Sequence, residues 1–259
     1  MDEKRIAAYA EQLFNAERDR KAIPPLTDQD QSLTIDDAYQ IQLANVKRVL
    51  EMGHTISGKK IGLTSEGIQK QLGVNEPDYG HLFAAMDCKD GNINTGALLQ
   101  PKIEGEIAFV LKADLAGGTV SREDVLAATD YVAAAFEIVD SRVADWKIKL
   151  VDTVSDNASS GRYVLGSKRL KLSEVDLPTV AMKLYKNGEL AGEGTGAAVL
   201  GDPCVSVAWL ANRLWAYGVT LKAGEVILSG AFSAAPPAKK GDIFRADFSS
   251  FGTVEAQFV

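Results

Sequence analysis

Cysteine and histidine are scarce in this chain of 259 residues. The two cysteines, Cys88 and Cys204, stand far apart, and the two histidines, His54 and His81, do not cluster. Zinc fingers, iron–sulfur clusters and disulfide scaffolds need several closely spaced ligands, so the sequence argues against all three. Little room is left for catalysis centred on histidine.

Positive charge and long apolar runs are also lacking. The formal net charge is -7 and no block of lysine or arginine occurs, so nucleic-acid binding has little support. Residues 1–5 lead into an amphipathic segment rather than an apolar signal core, and no apolar run approaches the ~18 residues of a membrane span. A Gly-x-Gly-x-x-Gly motif after a strand is absent too, which removes the main argument for a nucleotide cofactor. We therefore expect a cytoplasmic protein without nucleic-acid or membrane partners.

Two segments near the N-terminus have helical periodicity. Residues 2–21 predict an amphipathic helix, and residues 35–52 predict a second one, with Thr34 as N-cap and Gly53 after its end. We predict that residues 1–55 form a helical cap or arm and that residues 56–259 form the main domain.

Strands dominate after Gly53, and helices interrupt them irregularly. The predicted strands are residues 56–63, 135–140, 226–228, 243–248 and 254–259, and Asn187-Gly188 predicts a hairpin. The predicted helices are a short one from Ser65 to Gly73, one from Ser121 through Ala133 and one from Asp202 through Tyr217. Strict alternation of strand and helix is absent, which favours an α+β fold around a mixed or mostly antiparallel sheet system.

The most informative segment is residues 102–110, which read Lys-Ile-Glu-Gly-Glu-Ile-Ala-Phe-Val. Because successive side chains of a strand point to opposite faces, Glu104 and Glu106 project together. Two close carboxylates repel each other unless a cation holds them, and Mg²⁺ or Mn²⁺ does so with oxygen ligands. A solvated strand face is the alternative interpretation.

Glu137 is a single acid within the apolar residues 135–140, where an unpaired carboxylate is costly to bury. With Glu104 and Glu106 it would form a three-carboxylate site on two strands. Three acids without histidine suit Mg²⁺ or Mn²⁺ better than Zn²⁺ or Cu²⁺. The alternative is a buried salt bridge from Glu137 to Arg142.

Lys60 and Asp78 are the candidates for proton transfer. Lys59 and Lys60 are neighbours in a predicted strand and face opposite sides, so at most one of them points into a pocket. Asp78, in Pro-Asp-Tyr-Gly at 77–80, could be the acid–base partner of Lys60. The alternatives are a surface lysine and an aspartate that caps a turn.

Serines supply candidate substrate contacts. Residues 152–161 form a predicted polar loop of small residues, including Ser159 and Ser160, that could present hydroxyl and backbone N–H groups to an anion. Ser229, in Ser-Gly-Ala after a predicted strand, could present another donor. An ordinary surface loop is the alternative for the first segment.

Five motifs carry a family resemblance: Gly-Lys-Lys-Ile-Gly-Leu-Thr-Ser at 58–65, Gln-Pro-Lys-Ile-Glu-Gly-Glu-Ile-Ala-Phe at 100–109, Glu-Ile-Val-Asp-Ser-Arg at 137–142, Asp-Asn-Ala-Ser at 156–159 and Gly-Ala-Ala-Val-Leu-Gly at 196–201. Taken together, they resemble the 2-keto-4-pentenoate hydratase (2-hydroxypenta-2,4-dienoate hydratase) family of the fumarylacetoacetase-like superfamily. The resemblance implies a mixed β-sandwich or β-roll of the fumarylacetoacetase C-terminal-like type, with residues 56–259 as the catalytic domain.

The resemblance further implies a divalent metal, Mg²⁺ or Mn²⁺, held by Glu104, Glu106 and Glu137, with Lys60 near the substrate and Ser159 in a binding loop. The implied reaction adds water to 2-hydroxypenta-2,4-dienoate and gives 4-hydroxy-2-oxopentanoate in meta-cleavage breakdown of aromatic compounds. It also implies a cytoplasmic homo-oligomer that could associate with a sister enzyme of the pathway.

Two other functions stay open from the sequence. The 4-oxalocrotonate decarboxylases share almost all of these motifs, and the alanine pair at 234–235 resembles them, whereas Pro-Asp-Tyr-Gly at 77–80 favours a hydratase. A non-catalytic partner of another pathway enzyme is the third interpretation, although a scaffold has no need of the acids and Lys60.

Overall fold

The computed structural model describes residues 1–65, 67, 69–70 and 74–259, and within them helices flank two β-sheets. The helices are α1 (Glu3–Asp19), α2 (Leu26–Gln29), α3 (Ile35–Glu51), α4 (Arg122–Ala128), α5 (Leu150–Ser155) and α6 (Pro203–Trp215). The strands are β1 (Ile56–Gly62), β2 (Asp78–Phe83), β3 (Asn92–Ile93), β4 (Pro101–Leu111), β5 (Thr129–Asp140), β6 (Ser160–Leu170), β7 (Ala181–Lys186), β8 (Glu189–Thr195), β9 (Val226–Leu228), β10 (Ile243–Phe248) and β11 (Gly252–Phe258).

Both sheets are mixed and mostly antiparallel. In the first sheet the strand order is β2-β1-β9-β4-β5-β6, and β1 runs parallel to β9. In the second sheet the order is β3-β11-β10-β7-β8, and β3 runs parallel to β11. The predicted α+β class is confirmed.

The main hydrophobic core lies between the two sheets. Ile107 of β4 and Phe136 of β5 are fully buried in it together with Phe244 of the second sheet. Because side chains alternate along a strand, the next residues of β4 and β5 face away from this core. That opposite face of the first sheet carries Ala108 and Ala135, which pack in a smaller cluster with Val46 of α3.

The two predicted N-terminal helices are present, and each begins at a capping residue. Asp2 accepts a hydrogen bond from the backbone N–H of Arg5, and Thr34 forms a capping box with Asp37. Both interactions satisfy N–H groups that the first helical turn leaves without partners. The division of the chain at residue 55 stays a prediction.

Two predicted elements are wrong in extent. The helix predicted through Ala133 ends at Ala128, because Thr129 already begins a twelve-residue strand that pairs with β4 over its length. The predicted polar loop at 152–161 is instead the end of α5, a 3₁₀ turn over Asn157–Ser159 and the start of β6. In both places pairing and packing with residues far away in the sequence decide the structure. The helix predicted to end at Gly73 falls largely on residues 66, 68 and 71–73, which lie outside the described residues.

The hairpin and the last helix are confirmed. Asn187 and Gly188 have φ values of 52° and 85°, the left-handed pair that a type I′ turn requires. Asp202 caps α6 by accepting from the N–H of Cys204. Across the described residues, none of the helices has the length and apolar character that crossing a membrane demands.

Candidate active site

The register of β4 and β5 brings the three predicted glutamates together. Glu104 stands directly opposite Glu137, and Glu106 lies two residues further along the same face of β4. Ligand oxygens from the three side chains lie within 4.8 Å of one another. Glu106 and Glu137 are fully buried, whereas Glu104 is half-buried and reaches a cavity.

Lys60 of β1 reaches this cluster across the short strand β9. Its Nζ lies 3.0 Å from Oε1 of Glu137, and both side chains are buried. Lys59 points to the opposite face and pairs with Glu225 at 2.7 Å. The prediction that the two lysines face opposite sides of the strand is confirmed.

Asp78 begins β2 and pairs with Gly62 at the end of β1. A Cβ on Gly62 would lie 2.3 Å from Oδ1 of Asp78, so the carboxylate occupies space that a larger residue would fill. Among the described residues this oxygen has no hydrogen-bond partner. Asp78 is therefore buried with one oxygen free for another group.

The electrostatics of the cluster are dominated by burial. Burial raises the pKa of Glu104 to about 7 and that of Asp78 to about 6, and it raises the pKa values of Glu106 and Glu137 as well. Burial lowers the pKa of Lys60, but the charges of Glu137, Asp78, Glu104 and Glu106 outweigh it, so the net shift is upward. Four acids share one ammonium group, and the site is short of positive charge.

The donor set fits a hard divalent cation. Within the described part of the chain, Oε1 of Glu106 and Oε2 of Glu137 have no hydrogen-bond partner, and the other Glu106 oxygen accepts from the N–H of Gly230 at 2.8 Å. Buried carboxylate oxygens without partners are costly, and a cation would satisfy them. Carboxylate oxygens are the ligands that Mg²⁺ and similar ions prefer.

A cavity of about 370 Å³ lies beside the cluster. Lys60, Asp78 and Glu104 line it together with the polar residues Thr64 and Ser159. Asn157, Ala158 and Ser159 all have positive φ, between 49° and 53°, in the turn that forms part of this wall. Such left-handed backbone is uncommon for residues other than glycine and clusters at ligand sites.

Ser160 and Ser229 are not brought to this cavity. The Ser160 hydroxyl donates to the carbonyl of Asn157, and the Ser229 hydroxyl donates to the carbonyl of Ile107. Ser160 lines a different cavity, of about 330 Å³, near α1 and α3. That second cavity contains none of the clustered acids, so the chemistry points to the first.

The predicted alternative partner of Glu137 is wrong. Arg142 pairs with the buried Asp156 and also donates to the carbonyl oxygens of Asp140 and Ser160. Glu137 pairs with Lys60 instead. Its side chain faces the acid cluster from within β5, whereas Arg142 lies beyond the end of that strand.

Sequence reasoning missed the roles of Gly62, Gly230 and Trp146. Gly62 makes room for Asp78, and a Cβ at Gly230 would lie 2.4 Å from the hydroxyl of Thr64. Trp146 lines the cavity from a loop after β5. The glycines at positions 62 and 230 were the local sign of such close approach.

Comparisons with known proteins identify the family of this chain. The model of the fumarylacetoacetate (FAA) hydrolase C-terminal family matches residues 84–259. The chain is 47% identical over 260 residues to 2-hydroxyhexa-2,4-dienoate hydratase of Comamonas testosteroni, covering 99% of this chain and 98% of that protein. It is also 47% identical over 250 residues to 2-keto-4-pentenoate hydratase of Paraburkholderia xenovorans (strain LB400), covering 96% and 93%.

A solved structure shares both fold and sequence. The 4-oxalocrotonate decarboxylase from Pseudomonas putida G7, complexed with magnesium and adipate, superposes with a TM-score of 0.97 at 39% identity and covers 100% of this chain and 99% of that chain. The predicted fumarylacetoacetase-like fold and the predicted resemblance are confirmed. The chain belongs to the fumarylacetoacetate hydrolase family and, within it, to the 2-keto-4-pentenoate hydratases.

Proposed function

We propose that this chain is a metal-dependent hydro-lyase that adds water to 2-hydroxypenta-2,4-dienoate (2-oxopent-4-enoate) to give 4-hydroxy-2-oxopentanoate. The observation that carries the proposal is the convergence of three glutamates beside Lys60 and Asp78 at one cavity. The relatives named as hydratases, at 47% identity over nearly the whole chain, support the reaction class.

We assign Glu104, Glu106 and Glu137 as the ligands of Mg²⁺ or Mn²⁺. When bound there, the cation supplies a Lewis acid beside the 1-carboxylate and 2-oxygen of the substrate, where negative charge develops during the reaction. The unpartnered oxygens of Glu106 and Glu137 support this assignment.

Lys60 stays an ammonium in this proposal, because four surrounding carboxylates raise its pKa. It therefore acts as a hydrogen-bond donor, through Nζ, to an oxygen of the substrate. Its ion pair with Glu137 also holds that carboxylate in place. Ser159, at the cavity wall, is the proposed contact to the carboxylate of the substrate.

Asp78 is the proposed proton carrier. Its free Oδ1 accepts the proton of the substrate 2-hydroxyl and delivers a proton to C5, so that the dienol becomes an α,β-unsaturated ketone. Water then adds its oxygen at C4 and its hydrogen at C3, which completes 4-hydroxy-2-oxopentanoate. A pKa of about 6 suits a group that must both take up and release a proton near neutral pH.

The decisive experiment supplies the purified, metal-loaded protein with 2-hydroxypenta-2,4-dienoate and follows the loss of diene absorbance. 4-Oxalocrotonate is supplied in parallel, with CO₂ release as the readout, because the decarboxylase structure at 39% identity makes that reaction the second candidate. Release of CO₂ without hydration would support the decarboxylase. Turnover of neither acid would contradict both and favour a non-catalytic partner.

The family resemblance also supports a cytoplasmic homo-oligomer that acts in meta-cleavage breakdown of aromatic compounds and could associate with a sister enzyme. Light scattering on the purified protein measures the number of subunits, and co-purification from cells tests the association. A monomer at micromolar concentration would contradict the oligomer.

A further inference from the structure

Part of the lining of the catalytic cavity is apolar. Val139 lies two residues beyond Glu137 on the same face of β5, next to the acid cluster, and it lines the cavity. The loop after β5 adds Trp146 and Ile148 to this apolar lining, and Phe232 lines the cavity as well. These four side chains are the apolar surface available to the far end of a substrate held at the acids.

Trp146 is held in place by several independent interactions. Its indole N–H donates to the carbonyl of Gln100 at 3.0 Å, and the ammonium of Lys102 lies 4.2 Å from the ring centroid. Asp145 and Trp146 both have positive φ, 58° and 55°. A bulky residue keeps a left-handed backbone conformation only where the surrounding contacts hold it there, and such residues cluster at ligand sites. The ring is therefore a fixed part of the wall.

The described lining of the cavity offers no unpaired cation for a second carboxylate, and Lys102, whose ammonium lies against the Trp146 ring, is not among those lining residues. Among its described lining residues, Lys60 is the one that carries positive charge, and it pairs with Glu137. Residues 66, 68 and 71–73, which the structure does not describe, are Glu, Ile, Gln, Leu and Gly in the sequence and add no cation. A carboxylate at the far end of a substrate would be buried against apolar side chains without a partner, which is unfavourable.

We propose that Trp146, together with Val139, Ile148 and Phe232, is the specificity wall of this enzyme: it accepts a short apolar tail, limits its length and rejects a distal carboxylate. This inference rests on the proposed function, because it assumes that the carboxylate and 2-oxygen end of the substrate lies at the acid cluster. It names the substrate class as monocarboxylic 2-hydroxy-2,4-dienoates with a vinyl or short alkenyl tail.

The first test compares two probes of equal carbon number, 2-oxohexanoate and 2-oxoadipate, as ligands of the metal-loaded protein in calorimetry. They differ in a terminal methyl group against a terminal carboxylate. We expect 2-oxohexanoate to bind about 100-fold more tightly, since a site that leaves a buried polar group unpaired discriminates strongly. Equal affinity, or tighter binding of 2-oxoadipate, would overturn the proposal.

The second test uses Trp146→Ala and Trp146→Phe, with Trp215→Ala as the matched control because Trp215 is half-exposed on α6 and does not line the cavity. The readout is the ratio of kcat/KM for 2-hydroxyocta-2,4-dienoate to that for 2-hydroxypenta-2,4-dienoate. We expect this ratio to rise about tenfold or more in Trp146→Ala, to rise less in Trp146→Phe and to stay constant in the control. An unchanged ratio in an active Trp146→Ala enzyme would refute the wall.

The proposed function and the specificity wall can each be contradicted without the other. Wild-type protein that hydrates no dienoate contradicts the proposed function, whereas the probe comparison still reports on the wall. Wild-type protein that hydrates the pentadienoate and binds both probes equally contradicts the wall alone.

Discussion

The ammonium of Lys60 lies 3.0 Å from Oε1 of Glu137, and both side chains are buried. Glu137 stands opposite Glu104 in the pairing of β4 and β5. Asp78 is close enough that its charge raises the pKa of Lys60. Lys60 therefore connects the proposed metal ligands with the proposed proton carrier.

Replacing Lys60 by alanine should lower kcat by about 10²–10³-fold, because the substrate oxygen loses its donor and Glu137 loses its ion pair. Steady-state kinetics measure the effect. Lys59→Ala is the matched control, since Lys59 is equally buried but pairs with Glu225 on the other face of the strand. Equal losses in the two variants would show that the effect is structural rather than specific to the site.

Gly62→Ala should impair turnover through Asp78. The added Cβ would lie 2.3 Å from Oδ1 of Asp78, so the carboxylate must move. We expect the same direction of effect as in Asp78→Asn, with kcat reduced more than KM is changed. Gly67→Ala is the control, because Gly67 also lines the cavity but a Cβ there meets none of the described atoms within 4 Å. Full activity of both Asp78→Asn and Gly62→Ala would remove Asp78 from the mechanism.

Chelation should abolish activity, and added Mg²⁺ or Mn²⁺ should restore it. Glu106→Gln should weaken Mn²⁺ binding by at least about 100-fold, since loss of a ligand exceeds the effect of losing an outer hydrogen bond. Electron paramagnetic resonance of Mn²⁺ measures this binding without reference to activity. Glu225→Gln removes a carboxylate outside the cluster and should leave it unchanged. Full activity of the chelated enzyme would exclude a metal role.

His81 should make the protein sensitive to acid. Burial lowers the pKa of His81 to about 3, below its usual value near 6.5, so the unfolded chain takes up a proton that the folded chain excludes. The contribution to stability is therefore complete above about pH 6.5 and is lost progressively as the pH falls toward 3. Between pH 6 and 4, the slope of unfolding free energy against pH should be smaller in His81→Gln, by up to about 1.4 kcal/mol per pH unit. The free energy of unfolding is measured by urea titration at several pH values. Equal slopes of this energy against pH in the wild-type protein and in His81→Gln would contradict a buried neutral histidine.

Arg142→Met should destabilise the fold, because the carboxylate of Asp156 would stay buried without its guanidinium partner. Removing one member of a buried ion pair costs about 3–5 kcal/mol. Arg18→Met is the control, since Arg18 pairs with Asp19 at the surface and should change stability little. Denaturant unfolding measures the free energy of unfolding of both variants. A smaller loss of this free energy in Arg142→Met than in Arg18→Met would contradict a structural role for the Arg142–Asp156 pair.

Local patterns were reliable where a few neighbouring residues decide the outcome. Thr34 with Asp37 specifies the start of α3, and Asn187-Gly188 specifies a hairpin, because caps and tight turns depend on side chains within four residues. They failed beyond Ala128, where residues 129–133 were predicted as the end of a helix but pair with β4 in the sheet. They also failed for the Ser160 hydroxyl, whose partner is decided by a backbone turn rather than by composition.

The sequence by itself determined that Glu104 and Glu106 share one face of a strand and that Lys59 and Lys60 do not, because side-chain alternation is a property of the strand alone. Only the tertiary structure decided that Glu137 stands opposite Glu104, that Lys60 reaches it across β9, and that Asp78 fits against Gly62. Those relationships depend on the order and register of strands that are far apart in the chain. The packing of the two sheets around one core determines that order and register.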